Sequence, residues 1–197
     1  MTFRLGLTGS IGMGKSSTAQ IFSDLGCAVW DADAAVHRLY SVGGAAIGPM
    51  SAIAPTSIID GAISRDRLRE LISTNPDLLK QIEEIVHPLV AADRADFLKS
   101  TTADITVFDI PLLFETGGNI TMDAVVCVSI PPEIQESRVL ERGSMTLEQF
   151  EQIRAKQMPN ADKLAQSDYV VITDTPAHAR AQVAQIVAHI RRDLNHA

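Results

Sequence analysis

The chain has 197 residues, 46% of them hydrophobic, and a formal net charge of −7; it is long enough to bury a core as one domain with insertions. That charge disfavours a polyanion such as DNA as the main partner, so an anionic ligand must meet a local cluster of positive groups. No apolar stretch is long enough to span a membrane and no signal peptide is visible, while the only two cysteines, Cys27 and Cys127, lie in apolar segments and read as buried thiols of a reducing compartment, so the cytoplasm is the expected location.

An apolar run at residues 3–7 predicts the first strand. It leads into Gly9-Ser10-Ile11-Gly12-Met13-Gly14-Lys15-Ser16, the G-x-x-x-x-G-K-[ST] pattern of a loop that cradles nucleotide phosphates. Thr18, Ala19, Ile21, Phe22 and Leu25 then recur with helical spacing, so strand, loop and helix stand in the required order. Gly9, Gly12 and Gly14 permit backbone approaches that a Cβ would obstruct. The N–H groups can then face phosphate oxygens, helped by the positive end of the helix. In such a loop Lys15 reaches the β- and γ-phosphates and the Ser16 hydroxyl takes a place on Mg²⁺.

A second strand at 28–30 ends in Asp31-Ala32-Asp33. Ligands of open α/β sheets bind beyond the carboxyl ends of the strands, so Asp33 is expected to accept the proton of an acceptor hydroxyl. The other reading is that one of these aspartates caps the following helix. Residues 34–104 exceed the usual single-helix connection of α/β units and read as a helical insertion that holds a second substrate. It carries Arg65, suited to an anionic part of that substrate or to the surface. It also carries His87-Pro88, where Pro88 marks a helix start and His87 reads as structural on its residues alone.

The third strand, 105–108, ends in Asp109-Ile110-Pro111-Leu112-Leu113-Phe114-Glu115; Asp109 is placed where an acidic residue holds Mg²⁺ in nucleotide-binding folds. A fourth strand is predicted at 124–130 and a fifth at 169–172. Between them residues 132–157 predict two helices separated near Gly143, with Thr146 to Gln149 in capping-box form. Arg138 and Arg142 share a face of the first of these helices. The pair reads as a lid over the phosphate site, its guanidinium groups suited to charge developing on phosphoryl oxygens. The closing helix carries an apolar stripe of Val183, Ile186, Val187, Ile190 and Leu194. The order of elements predicts a five-stranded, mostly parallel, doubly wound α/β sheet of P-loop kinase type, with a helical insertion and a lid.

Taken together, the loop at 9–16, Asp31-Ala32-Asp33, His87-Pro88, Pro111 to Glu115, Gln135…Arg138…Arg142, Gln157-Met158 and Lys163…Asp168 resemble the dephospho-CoA kinase family along essentially the whole chain. The resemblance implies transfer of the γ-phosphate of ATP, with Mg²⁺, to the ribose 3′-hydroxyl of dephospho-CoA, the last step of coenzyme A synthesis. By that resemblance Asp33 is the base. Gly9, Gly12, Met13, Gly14, Lys15, Ser16, Ser17, Arg138 and Arg142 bind ATP. Ser16 and Asp109 serve the metal. Residues 1–33 and 105–197 form the nucleotide-binding core, with lid helices at 132–158; residues 34–104, with Arg65 and His87, form the CoA-side domain, and Leu113 and Glu115 line the acceptor side. The chain departs from the family at Ser10 (usually Gly), Met13 (usually Ser), Ser17 (usually Thr) and Thr173-Asp174 (usually with Asn). Ser10 is compatible with the loop where its φ is negative, and Met13 sets a long apolar side chain at the loop tip. A small shikimate-type kinase leaves the insertion without a task, and a guanine-specific switch lacks its Asn-Lys-x-Asp here.

Overall fold

The computed structural model describes residues 2–143 and 145–196. In chain order it contains β1 (Phe3–Thr8), α1 (Lys15–Asp24), β2 (Ala28–Asp31), α2 (Ala32–Tyr40), α3 (Ile47–Ile53), β3 (Ile58–Ile59), β4 (Ala62–Ile63), α4 (Arg65–Thr74), α5 (Asp77–Ser100), β5 (Ile105–Asp109), β6 (Ala124–Ser129), α6 (Pro132–Glu141), α7 (Leu147–Lys156), α8 (Asn160–Ala165), β7 (Tyr169–Ile172) and α9 (Pro176–Leu194). The five expected strands form one sheet in the order β2-β5-β1-β6-β7. The pairings of β1 with β5, β1 with β6 and β6 with β7 are all parallel. β5 and β6 are buried along their whole length, as expected of parallel strands covered on both faces, which read as continuous apolar runs.

On one face, Phe22 and Ala19 of α1 join Val183, Ile186, Val187 and Ile190 of α9 over Leu5, Leu7, Val107, Val126 and Val128. Leu194, the last member of the expected stripe and the last residue of α9, is instead 40% exposed. Both bonds of the capping box at α7 form as predicted: Thr146 accepts from the Gln149 N–H, and the Gln149 side chain accepts from the Thr146 N–H. The register Leu7↔Asp109 brings the last residue of β5 beside the end of β1, where the glycine-rich loop begins.

By its contacts the chain divides into two compact units, Asp31–Ser100 and the remainder. The Asp31–Ser100 unit has its own core, built on Leu39, Met50, Ile63, Leu68, Leu78, Ile82 and Val86. The sequence reading of this stretch as purely helical needs correcting, since β3 and β4 pair as an antiparallel hairpin. Its turn is Asp60-Gly61, with φ of 50° and 79°. An Asp-Gly pair with positive φ at both positions matches the right-handed twist of a hairpin; two-residue strands are too short to show periodicity. The reading of Pro88 as a helix start is also corrected. It lies inside α5, where its missing N–H removes one interior hydrogen bond.

Among the described residues no helix is long and apolar enough to cross a membrane. Cys27 and Cys127 are both free and buried, and burial pushes each thiol up to about 11, with nearby Arg191 and Lys163 offsetting only part of the effect. At about pH 8 that leaves about one thiol in a thousand as the reactive thiolate. The folded protein should therefore give almost no thiol signal with Ellman's reagent over minutes, and two equivalents once unfolded in urea; rapid reaction of either thiol in the folded state would contradict the burial described here.

Candidate functional site

β1 ends at Thr8 and α1 begins at Lys15, and the turn between them meets three separate backbone demands. A Cβ at Gly9 would come within 2.3 Å of Val128 Cγ2, so the first glycine permits close packing against β6. Gly12 and Gly14 take φ of 78° and 86°, the left-handed region that side chains disfavour. Ser10 is tolerated as expected, because Asp60 is the only non-glycine residue with positive φ among those described. Met13 is corrected: it does not project from the loop tip but is 2% exposed and packs in the sheet core. There its Sδ accepts from the Ile130 N–H at 3.2 Å.

Four carbonyls of the turn have a donor. Ser10 O accepts from Met13 N at 3.2 Å and Gly14 O from Thr18 N at 3.1 Å. Ile11 O accepts from Gln135 Nε2 at 2.6 Å, and Met13 O from Thr173 Oγ1 at 2.7 Å. The N–H groups of Gly12, Gly14, Lys15 and Ser16, by contrast, have no partner among the described residues. α1 also lacks a side-chain N-cap and any acidic residue in its first turn. Unpaired N–H groups at the positive end of a helix, with no carboxylate to compensate, are a site for phosphate.

Lys15 Nζ donates to Asp109 Oδ1, with the two side chains 16% and 2% exposed. Asp109, expected to serve the metal, is thus held by the loop lysine. Ser16 is exposed at the first turn of α1. Arg138 and Arg142 do face one cleft of ≈ 680 Å³, together with Gly14, Ser16, Ser17 and Thr173. Their roles differ. Arg138 is committed, its Nη2 donating to the carbonyls of Thr173 at 2.7 Å and Asp174 at 3.1 Å. Arg142, the C-cap of α6, is exposed and has no ion-pair partner among the described residues.

Leu113 and Glu115, expected to line the acceptor side, turn their side chains inward. Leu113 is fully buried with Phe114 and Val125. Glu115 pairs with Lys163 Nζ at 2.9 Å, where Lys163 is 0% exposed, and accepts from Met158 N at 2.9 Å. Lys163 Nζ lies 3.3 Å from Pro111 O, which also accepts from Thr8 Oγ1 at 3.1 Å. Leu113 thus sits beneath the 110–117 loop, while Glu115, partly exposed, is tied to α8 by its bonds to Lys163 and the Met158 N–H.

Within the other unit, Asp31 is the N-cap of α2, accepting from Ala34 N at 2.9 Å; the capping alternative belongs to this aspartate. Asp33 follows in the first helical turn, and its carboxylate has no partner among the described residues. Arg65, at the start of α4, lies with Nη2 3.5 Å from Asp33 O and its guanidinium 5.9 Å from the Tyr40 ring. His87 is exposed on α5.

Sequence reasoning met Thr173 only as a departure from the family, and took Lys163, Gln135 and Gln157 only as part of a resemblance. One signal was available. Gln135 stands four residues before Val139 on the buried side of α6, and a glutamine on an apolar stripe needs a polar partner. Nothing local marks Lys163, whose partners come from a distant loop.

The family model for dephospho-CoA kinase matches residues 3–178. A dephospho-CoA kinase of Ruegeria pomeroyi is 68% identical over 197 residues, 100% of each chain. One of Cereibacter sphaeroides is 53% identical over 189 residues, 96% of each. Among solved structures, a Thermus thermophilus protein is similar with a TM-score of 0.86 at 26% identity, covering 95% of this chain and 97% of that one.

The Glu115–Lys163 pair has a pH signature. Burial raises the Glu115 pKa, but the bonds from Lys163 and the Met158 N–H outweigh it and hold the carboxyl below its ordinary 4.5. A depressed carboxylate contributes stability that is present above its unfolded pKa and lost as pH falls through the folded one. Wild type should therefore exceed Glu115→Gln in unfolding free energy at about pH 7, with the gap closing below about pH 4 in urea titrations. Lys163→Met, which leaves the partly exposed Glu115 carboxylate without its ion partner, should cost about 1–3 kcal/mol at neutral pH; a pH-independent gap would mean that the pair is not ionised.

Proposed function

The chain belongs to the dephospho-CoA kinase family, and we propose how its residues divide the work of phosphorylating the ribose 3′-hydroxyl of dephospho-CoA with ATP. The reaction is the final step of coenzyme A synthesis. In it the 3′-oxygen forms a bond to the γ-phosphorus, the bond from that phosphorus to the β–γ bridging oxygen breaks, and the hydroxyl proton passes to a base. Phosphoryl transfer through a loose transition state depends on positioning and charge stabilisation more than on base strength.

The nucleotide side is the 9–17 loop. The N–H groups of Gly12, Gly14, Lys15 and Ser16 bind phosphate oxygens, Gly9 lets the loop lie close to β6, and Met13 contributes backbone alone. Lys15 leaves Asp109 for the β- and γ-phosphates, and Ser17 and Arg142 face the same nucleotide. The observation that carries this reading is the asymmetry of the loop, with four of its carbonyls bonded and the Gly12, Gly14, Lys15 and Ser16 N–H groups without a partner among the described residues. Arg138 acts one step removed, holding the turn at Thr173 and Asp174. The Ser16 hydroxyl and the Asp109 carboxylate are hard oxygen donors of the kind Mg²⁺ takes alongside substrate phosphates. They would hold that ion, which when bound neutralises charge on the β- and γ-oxygens.

Asp33 is the base, a role that fits a carboxylate of the family's Asp-Ala-Asp motif with no partner among the described residues. Residues 34–104 carry the acceptor, with Arg65 on its anionic portion and His87 on the CoA side. Leu113 and Glu115 serve the acceptor by shaping the 110–117 loop, and residues 132–158 close over the nucleotide as a lid. We assign the reaction to the cytoplasm, in keeping with two buried free thiols.

ATP consumption should depend on added dephospho-CoA, and turnover that ignores the acceptor would sink this reading. Asp33→Asn should keep ATP affinity while lowering kcat by about 10²-fold or more; near-normal kcat would remove the base assignment. Lys15→Ala should lose ATP affinity and, by about 10²–10³, rate together, as expected for a missing transition-state charge.

A further inference from the structure

We propose that Gln135 and Gln157 are positioning residues for nucleotide binding, which hold the Ile11 peptide groups and so aim the Gly12 N–H at the phosphates. The proposal rests on the reading of the 9–17 loop as the ATP cradle. Ile11 is gripped from two directions: its N–H donates to Gln157 Oε1 at 3.0 Å, and its carbonyl accepts from Gln135 Nε2 at 2.6 Å. Gln135 lies on α6 and is 3% exposed; Gln157 is the C-cap of α7.

The consequence follows from peptide planarity. In a trans peptide the C=O and N–H of one plane point in opposite directions. Fixing the Ile11 carbonyl on Gln135 therefore fixes the Gly12 N–H facing the other way, toward the loop interior. Thr173 does the same for the next free group, since its bond to Met13 O sets the Gly14 N–H. Gln157 secures the preceding plane, whose carbonyl, Ser10 O, is taken by Met13 N. Gly12 is also where rotation is easiest, because glycine at φ 78° has little steric reason to stay in one orientation. A peptide flip there would turn a carbonyl toward the phosphates, and the two glutamines oppose it. Both also line a cleft of ≈ 570 Å³ beside Ser10 and Arg154, so water can compete for the Ile11 groups and the side-chain bonds decide the outcome. Because the glutamines sit near the two ends of the 132–158 segment, the same contacts anchor both roots of the proposed lid.

The two positions make opposite demands. Position 135 must donate and position 157 must accept. In the full-length protein, ATP affinity by calorimetry and KM for ATP should rank Gln157→Glu above Gln157→Lys, but Gln135→Lys above Gln135→Glu. Each step should be about tenfold, the worth of one hydrogen bond lost or kept, with KM for dephospho-CoA moving less than about twofold. Attraction between charge and ATP alone ranks Lys above Glu at both sites, and a purely structural role shifts Tm without any crossed ranking; either result overturns the proposal. If the buried position 135 does not tolerate a charge, the Glu-over-Lys order at the less buried position 157 decides it alone. A wild-type protein that bound no ATP would remove the cradle reading and this proposal together. Wild-type binding with all variants equal to it would remove the proposal only.

Discussion

The direction of the peptide planes between Gly9 and Ser16 is the constraint on which the rest of the site depends. A folded chain must satisfy nearly all of its buried backbone polar groups, and this turn has four of its carbonyls bonded while the Gly12, Gly14, Lys15 and Ser16 N–H groups have no partner among the described residues. The donors that make this possible come from four places: Met13 within the loop, Thr18 in α1, Gln135 in α6 and Thr173 after β7. The sheet provides the common frame. Parallel pairing of β1 with β6, and of β6 with β7, brings α6 and the Thr173 turn to the same edge as the loop.

Charge is organised on the same scale. With a net charge of −7 the chain as a whole repels a nucleotide, yet Lys15, Arg138 and Arg142 gather around one end of the sheet. Asp109 balances Lys15 in a largely buried pair. Breaking such a pair by removing one partner leaves an uncompensated charge, which costs more than the intact pair contributes. A triphosphate offers the lysine a replacement partner of the same sign as the aspartate. A second buried pair, Glu115 with Lys163, has no such replacement. It ties the 110–117 loop to α8, with Pro111 O and the Met158 N–H completing its bonds.

The Asp31–Ser100 unit follows a different economy. Its helices and hairpin bury their apolar faces on one another, and polar contacts join them within the unit: Asp31 caps α2, Arg38 pairs with Asp93 at 2.6 Å, and Arg65 reaches the Asp33 carbonyl. A unit with its own core can change its surface to suit a substrate without disturbing the sheet. The Asp33 carboxylate stays outside this internal network, as a group reserved for another molecule would.

The sequence by itself determined the five strands of the parallel sheet, the phosphate loop and the capping box of α7. Each of these rests on local spacing: a period of two or 3.6, a capping residue, a glycine where φ is positive. Only the tertiary structure decided what the loop's peptide groups bond, because Gln135, Gln157 and Thr173 stand 124, 146 and 160 residues from their partners. It also decided that Met13 packs inward, that Arg138 is spent on backbone carbonyls while Arg142 is not, and that Leu113 is buried while Glu115 pairs with Lys163. Local pattern can mark a side chain as apolar or charged, but whether it meets a core, a carbonyl or a ligand is set by chain segments far away, and those are brought together only by the sheet.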